Sequence, residues 1–257
     1  RAKADSLLGA GAIWCDHPAA VAQEAQVIFT MLGYPSDVRT VYQGREGLVE
    51  SAKPGTVLID LTTSDPQLAQ QIAAKGAARG VHVLDAPVTG GDKGAQAGTL
   101  SIMIGGDPIV AKSVDPILAH FSSKRVRQGG AGAGQHTKMC NQIALAGIMM
   151  SLCEAYQYSC HAGLNPSTVL ESIGEGAASS WPMKHLLPAI IEGNDAPGFY
   201  VKHFLKDLEI ALDAAKTLCL DLPTLKQARK LYNRLVNIGY GDLGTQALMH
   251  WYREHNE

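Results

Sequence analysis

The sequence predicts an α/β domain of the doubly wound kind, followed by an all-α domain. Three observations carry this reading. As far as about Gln128, short apolar runs alternate with helical patterns, the signature of a parallel sheet covered on both faces. Beyond Gly134 no strand-like run follows. Between the two lies GGAGAG, Gly129–Gly134, a glycine-rich hinge. The expected domains are residues 1–133 and 134–257, the second opening with a long interdomain helix.

The elements follow in order. Ala2–Leu8 reads as a helix ended by Gly9. Val27–Leu32 (VIFTML) is a continuous apolar run, as expected of a strand buried on both faces. Pro35–Val41 is a short helix and Thr56–Leu61 (TVLIDL) the next strand. Pro66–Arg79 begins with proline and meets Gly80 at its end, the usual helix punctuation. Val81–Asp85 and Leu100–Ile104 are further strands, and Asp107–Phe121 a helix. In the second half, Gln135–His161 is one long helix whose greasy stretch, Ile143–Cys153, is too short to span a bilayer. Pro166–Ile173, Met183–Ile191, His203–Leu218, Pro223–Ile238 and Thr245–His255 complete the helices.

Composition narrows the function. The 257 residues are 46% hydrophobic and 18% charged, which suits a globular chain with a real core rather than a disordered one. Lys plus Arg is 22 against 24 for Asp plus Glu, so charge makes no case for nucleic acid or an anionic membrane as partner. The cysteines, Cys15, Cys140, Cys153, Cys160 and Cys219, are five, scattered and without a CxxC pair. That argues against a disulfide framework or a metal site and predicts a reducing, cytoplasmic location. No P-loop, HExxH, GxSxG or GxGxxG after a strand is present.

Four stretches can carry chemistry. Asp85–Leu100, DAPVTGGDKGAQAGTL, follows a strand that Pro87 stops. Gly90 and Gly91 can take positive φ, and free N–H groups there form a concavity for an anion, with the Thr89 hydroxyl beside it. A small carboxylate is the natural guest at a strand's carboxyl end; on spacing alone, an ordinary glycine-rich turn is the simpler account. In GAGQHTKMCNQ, Gly132–Gln142, the residues Lys138, Asn141 and Gln142 stand at i, i+3 and i+4 and share one helix face. Such groups leading a buried helix are costly unless paired or used, and a solvated first turn is the alternative. In His203–Ala215 the leucines at 205, 208 and 212 form a core stripe, which leaves Lys206 and Asp207 reading as a solvated face. In TVLIDLTTSDP, Thr56–Pro66, Thr63 and Ser64 could cap the next helix or touch a ligand at the strand end.

In this order the four pieces resemble the β-hydroxyacid dehydrogenase family, which includes 3-hydroxyisobutyrate dehydrogenase and tartronate semialdehyde reductase. DAPVTGGDKGAQAGTL is close to the family's substrate-loop signature, with Thr89 for the usual serine; GAGQHTKMCNQ matches its catalytic signature; Lys206-Asp207-Leu208 matches a third; and TMLGYPSDV is similar to its MLP loop, with Gly33 where proline is usual. The resemblance covers the whole chain. It implies a Rossmann-type first domain and an enzyme that moves hydride between NAD or NADP and a small β-hydroxy acid or its semialdehyde or keto form. It implies Lys138 as proton donor and acceptor, Thr89, Gly90 and Gly91 as carboxylate cradle, and Asn141 as a substrate partner. Leu32, Gly33, Asp37, Thr63 and Lys206 fall at positions that border the dinucleotide in relatives. Oxidation needs a neutral lysine, so the Lys138 pKa is expected to fall from about 10.4 toward roughly 7–8, with Lys206 a candidate cause. A homodimer or homotetramer is implied as well. Relatives begin with a strand, a GxGxMG turn, a helix and a second strand, roughly 30 residues that this sequence does not contain; the first βαβ unit is therefore absent, and the chain is expected to be an incomplete view of a longer protein. Two other readings share the architecture: a non-catalytic ligand-binding relative and a phosphogluconate-type decarboxylating dehydrogenase.

Overall fold

The computed structural model describes residues 4–256. Ala2 and Lys3, the start of the expected first helix, lie outside that range; the helix itself, α1, is described over Asp5–Gly9. The chain divides into two compact units. The first holds residues up to Pro87, Met103–Leu118 and Arg125–Gln135; the second holds Val88–Ile102, Ala119–Lys124 and the residues from His136 onward.

In the first unit, α2 (Pro18–Glu24) leads to β1 (Val27–Thr30), α3 (Pro35–Gln43), the short α4 (Leu48–Ser51), β2 (Val57–Asp60), α5 (Pro66–Ala77) and β3 (His82–Asp85). The three strands are parallel, with Val27 opposite Val57 and Val57 opposite His82, and end together at Thr30, Asp60 and Asp85. β2 is buried along its whole length, as a central parallel strand should be. β1 differs from expectation. It alternates half-buried and buried residues, Met31 is 65% exposed, and β2 is its one partner among the described residues. Tyr42, Leu48, Leu58, Leu68 and Ile72 form the core beneath the strands.

The sheet of six strands is mixed, not parallel throughout. β5 (Leu100–Gly105) meets β3 antiparallel at Asp85 and Gly105. The link from Asp85 to Leu100 holds the two-residue strand β4 (Val88–Thr89) and the six-residue α6 (Gly91–Gln96), and the antiparallel pairing of β4 with β5 sets the direction in which β5 returns. α7 (Pro108–Leu118) follows, then β6 (Ser122–Gly129), which pairs with β5. β6 was invisible to apolar periodicity because it is an exposed strand of Ser, Lys, Arg and Gln around Val126.

In the second unit, β4 (Val88–Thr89) runs antiparallel to the first half of β5, pairing Val88 with Ile102 and Thr89 with Ser101. The long α8 (Ala133–His161) buries Ala146, Met149, Leu152 and Cys153, a single stripe rather than the whole greasy stretch. α9 (Pro166–Ile173) follows. The helix expected over 183–191 is two, α10 (Trp181–His185) and α11 (Leu187–Glu192), because Pro188 cannot continue a helix from Pro182 through Leu186. α12 (Val201–Thr217), α13 (Pro223–Asn237) and α14 (Leu248–Asn256) close the bundle. Phe204 and Tyr232 meet edge to face at 4.8 Å within its core.

α12 ends with an unusual residue. Leu220 N donates to Ala215 O at 2.9 Å and Cys219 N to Lys216 O at 3.1 Å, the bonding of a Schellman motif. The left-handed position of that motif is Cys219, at φ 56°, where glycine carries no steric penalty. Cys219→Gly is expected to stabilise the chain by about 1 kcal/mol, seen as a melting temperature roughly 2–4 °C higher in calorimetry.

Candidate active site

The glycine turn and the lysine come together within the second unit. After β4, Gly90 takes φ +126° and Gly91 φ +63°, so the chain can turn sharply into α6. Lys138, near the start of α8, reaches back to this turn. Its Nζ donates to Val88 O at 2.8 Å, one residue before Thr89. The side chain is buried, with 7% of the residue exposed. Burial is the chief cause that lowers its pKa to about 8; the Asp207 carboxylate opposes the fall and Lys206 adds to it.

One turn along α8, Asn141 Nδ2 donates to Gln142 Oε1 at 2.6 Å. Gln142 Nε2 in turn donates to Asp207 Oδ2 at 2.6 Å. Asp207 Oδ1 pairs with Lys206 Nζ at 3.0 Å. The solvated face expected for Lys206 and Asp207 is therefore not what the structure has. Asp207 is 2% exposed and the Lys206 side chain 12%. α12 buries its leucine stripe on one side, while Asp207 turns to the polar residues of α8 on another. Burial pushes the Asp207 carboxyl above the usual range, and Lys206 and Lys138 pull it back.

The segment Asn194–Phe199 lies beside the glycine turn, where a Cβ on Gly91 would stand 3.8 Å from Gly198 O. Its backbone is fastened from the other side. Gln246 Nε2 donates to Asn194 O and Ala196 O at 3.1 and 3.0 Å, Thr245 N to Phe199 O, and Gly244 N to Asp195 O. A separate cleft of about 520 Å³, lined by Met150, Glu154, His161, Trp251 and others, contains none of these residues.

The positions implied for the dinucleotide, Lys206 aside, lie in the first unit at the carboxyl ends of β1 and β2. Leu32 N donates to Thr62 Oγ1 at 2.8 Å. Gly33 leaves room for Asp37, whose Oδ2 accepts from Tyr34 N at 3.0 Å in the first turn of α3; a Cβ on Gly33 would come within 3.3 Å of that oxygen. Thr63 is bracketed by Gln135, which accepts from Ser64 N at 2.9 Å and donates to Thr62 O at 2.7 Å. Beneath it, Asp60 Oδ1 accepts from Thr30 Oγ1 and Thr62 N, both at 3.0 Å. Neither Thr63 nor Ser64 is the cap of α5: Asp65 is, accepting from Gln67 N at 2.8 Å. Main chain, hydroxyls and one exposed carboxylate beside the ends of two parallel strands suit sugar hydroxyls and flat rings rather than phosphates.

Sequence reasoning missed Asp85 and Gln135. Asp85 is 3% exposed and accepts from Gly132 N at 2.8 Å and Gln135 N at 2.9 Å, anchoring the start of α8. The signal was present: TVLID and VHVLD each end an apolar run on a lone acid.

Residues 1–130 match the family described as the NAD binding domain of 6-phosphogluconate dehydrogenase. Residues 132–252 match that described as the NAD-binding of NADP-dependent 3-hydroxyisobutyrate dehydrogenase. An oxidoreductase of Bacillus subtilis, YkwC, is 49% identical over 96% of this chain and 85% of its own length. A probable mitochondrial 3-hydroxyisobutyrate dehydrogenase-like protein of Arabidopsis thaliana is 43% identical over 96% of this chain and 74% of its own. The solved 3-hydroxyisobutyrate dehydrogenase of Mycobacterium tuberculosis, with L-serine, superposes at a TM-score of 0.89 with 29% identity, over 97% of this chain and 87% of that one.

Proposed function

This chain belongs to the β-hydroxyacid dehydrogenase family, and we propose on that premise that Lys138 is its acid–base group and the turn at Thr89, Gly90 and Gly91 its carboxylate site. The enzyme is an NAD(P)-dependent oxidoreductase of hydroxy acids. The observation that supports the assignment is the 2.8 Å bond from the buried Lys138 Nζ to Val88 O, which sets the ammonium beside the turn.

The nicotinamide, when bound, supplies the acceptor or donor of hydride. The chain's own residues do the rest. Thr89 and the N–H groups of Gly90 and Gly91 hold the acid's carboxylate. In oxidation neutral Lys138 takes the hydroxyl proton as the carbon loses hydride and the C=O bond forms. In reduction its ammonium steadies the developing alkoxide and then returns the proton. Asn141, one turn on, meets the substrate's oxygen-bearing groups. Leu32, Gly33, Asp37 and Thr63 border the cofactor in the first unit, and Lys206 is assigned to it in the second. A homodimer or homotetramer is part of this reading, supported by exposed Tyr158 and Leu164 at the end of α8 and after it; sedimentation velocity tests it. A cytoplasmic location is supported by five unpaired cysteines.

The test is a panel on the full-length protein: 3-hydroxyisobutyrate, tartronate semialdehyde, glyoxylate, succinic semialdehyde and a phosphorylated sugar acid, each with NAD and NADP. Turnover confined to the phosphorylated acid, or to none, would sink the reading. Thr89→Ala is expected to raise KM for the best small acid about five- to tenfold, the scale of one lost hydrogen bond, with kcat nearly unchanged because the backbone donors remain.

A further inference from the structure

We propose that Gln142 is a positioning residue, whose single amide sets the hydrogen-bonding polarity of Asn141 and holds Asp207 in place beside two lysines. The proposal rests on the reading of Lys138 and Asn141 as the groups that face substrate.

The reasoning starts at the carboxylate and moves outward. Asp207 is 2% exposed, with Lys206 Nζ 3.0 Å from one oxygen and Gln142 Nε2 2.6 Å from the other. An ionised carboxylate only accepts hydrogen bonds, so the Gln142 atom that faces it is the NH2. The planar amide then turns its oxygen to the opposite side. Asn141 meets that oxygen at 2.6 Å and must do so with its own NH2. The direction of both amides follows from one buried charge.

Asn141 is left with Oδ1 and a second N–H. It therefore offers a substrate one acceptor and one donor side by side. A β-hydroxy acid uses both, its hydroxyl as donor and its carboxylate or carbonyl as acceptor. Were Gln142 apolar, the Asn141 amide would be free to reverse, and Asp207 would lose its neutral partner. The charged and titratable groups around this chain of bonds are Lys138 from α8 and His203 and Lys206 from α12. Gln142 is 1% exposed, so water does not compete for its amide.

Two variants test this, using the acid turned over fastest in the panel. Gln142→Leu keeps the bulk and removes both bonds; KM is expected to rise about tenfold across the pH range. Gln142→Glu, buried against Asp207, holds its proton near neutrality. Protonated, it donates to Asp207 and accepts from Asn141 as the amide does. Its KM is expected within about twofold of wild type at pH 6.5, on the scale of a preserved bond. As pH rises to 9 and that proton leaves, KM should climb relative to wild type. A Leu variant with wild-type KM overturns the proposal, as does a Glu variant that behaves like the Leu variant at every pH. If the Leu variant does not fold, the Glu variant decides alone, and a KM that stays flat relative to wild type overturns it. Wild-type turnover in Lys138→Met strikes the reading of Lys138 instead, whatever Gln142 does.

Discussion

Replacing Lys138 by Met lowers kcat by about 10²–10⁴-fold in both directions, the scale for loss of a positioned acid–base group. Its Nζ is held at the Val88 carbonyl, 2.8 Å away, with 7% of the residue exposed. Burial brings its pKa down from 10.5 to about 8, the range in which one amine can serve as both acid and base. The sign of the pH dependence follows. Oxidation requires the neutral amine, so its kcat/KM should rise with pH through about 8. Reduction requires the ammonium, so its rate should fall through the same value. In Lys138→Met both limbs should vanish along with the rate. Lys138→Arg separates charge from proton transfer: it keeps the cation but cannot lose its proton, so oxidation should suffer more than reduction. Stopped-flow rates for both directions between pH 6 and 10 provide the check. A Met variant with wild-type kcat, or with intact limbs, removes Lys138 from the chemistry.

The neighbourhood of that lysine shows what a sequence can and cannot disclose. Helical spacing places Lys138, Asn141 and Gln142 on one face, and the structure has them linked to the same buried acid. Spacing also separates Lys206 and Asp207 from the leucines of α12. It does not say that another helix covers that second face. Periodicity reports which residues share a side, not how many sides are buried; Asp207 looked like a solvated charge for that reason. The strands tell the same story. Apolar runs such as VLID are legible because burial demands them. β6 is not, because an exposed strand needs few apolar residues. The antiparallel return of β5 was hidden in a link whose glycines read as a ligand turn and whose strand, β4, is only two residues long.

Asp85→Ala should destabilise the first unit strongly, costing about 3 kcal/mol at neutral pH. The carboxylate accepts from Gly132 N on one oxygen and Gln135 N on the other. Removing it leaves two buried N–H groups unpaired, each costing about 1–3 kcal/mol, partly offset because a buried charge is removed as well. That offset makes the loss depend on pH. Burial, opposed by the two N–H groups, raises the Asp85 pKa from 3.8 to about 6. The folded chain therefore holds this proton more tightly than the unfolded one. The stabilisation it provides is complete below 3.8 and is lost as pH rises through 6. Wild type should thus gain about 1 kcal/mol from this group between pH 7 and pH 5. The Ala variant has no such group and gains nothing from it, so the stability gap between the two should widen in acid. Other carboxylates titrate in both proteins and largely cancel in the difference. Urea unfolding of both proteins at pH 5 and pH 7 measures the gap. A gap that narrows at pH 5 would mean that the hydrogen bonds to the ionised oxygens outweigh burial, and that Asp85 anchors α8 as a charge held below, not above, the usual carboxylate range.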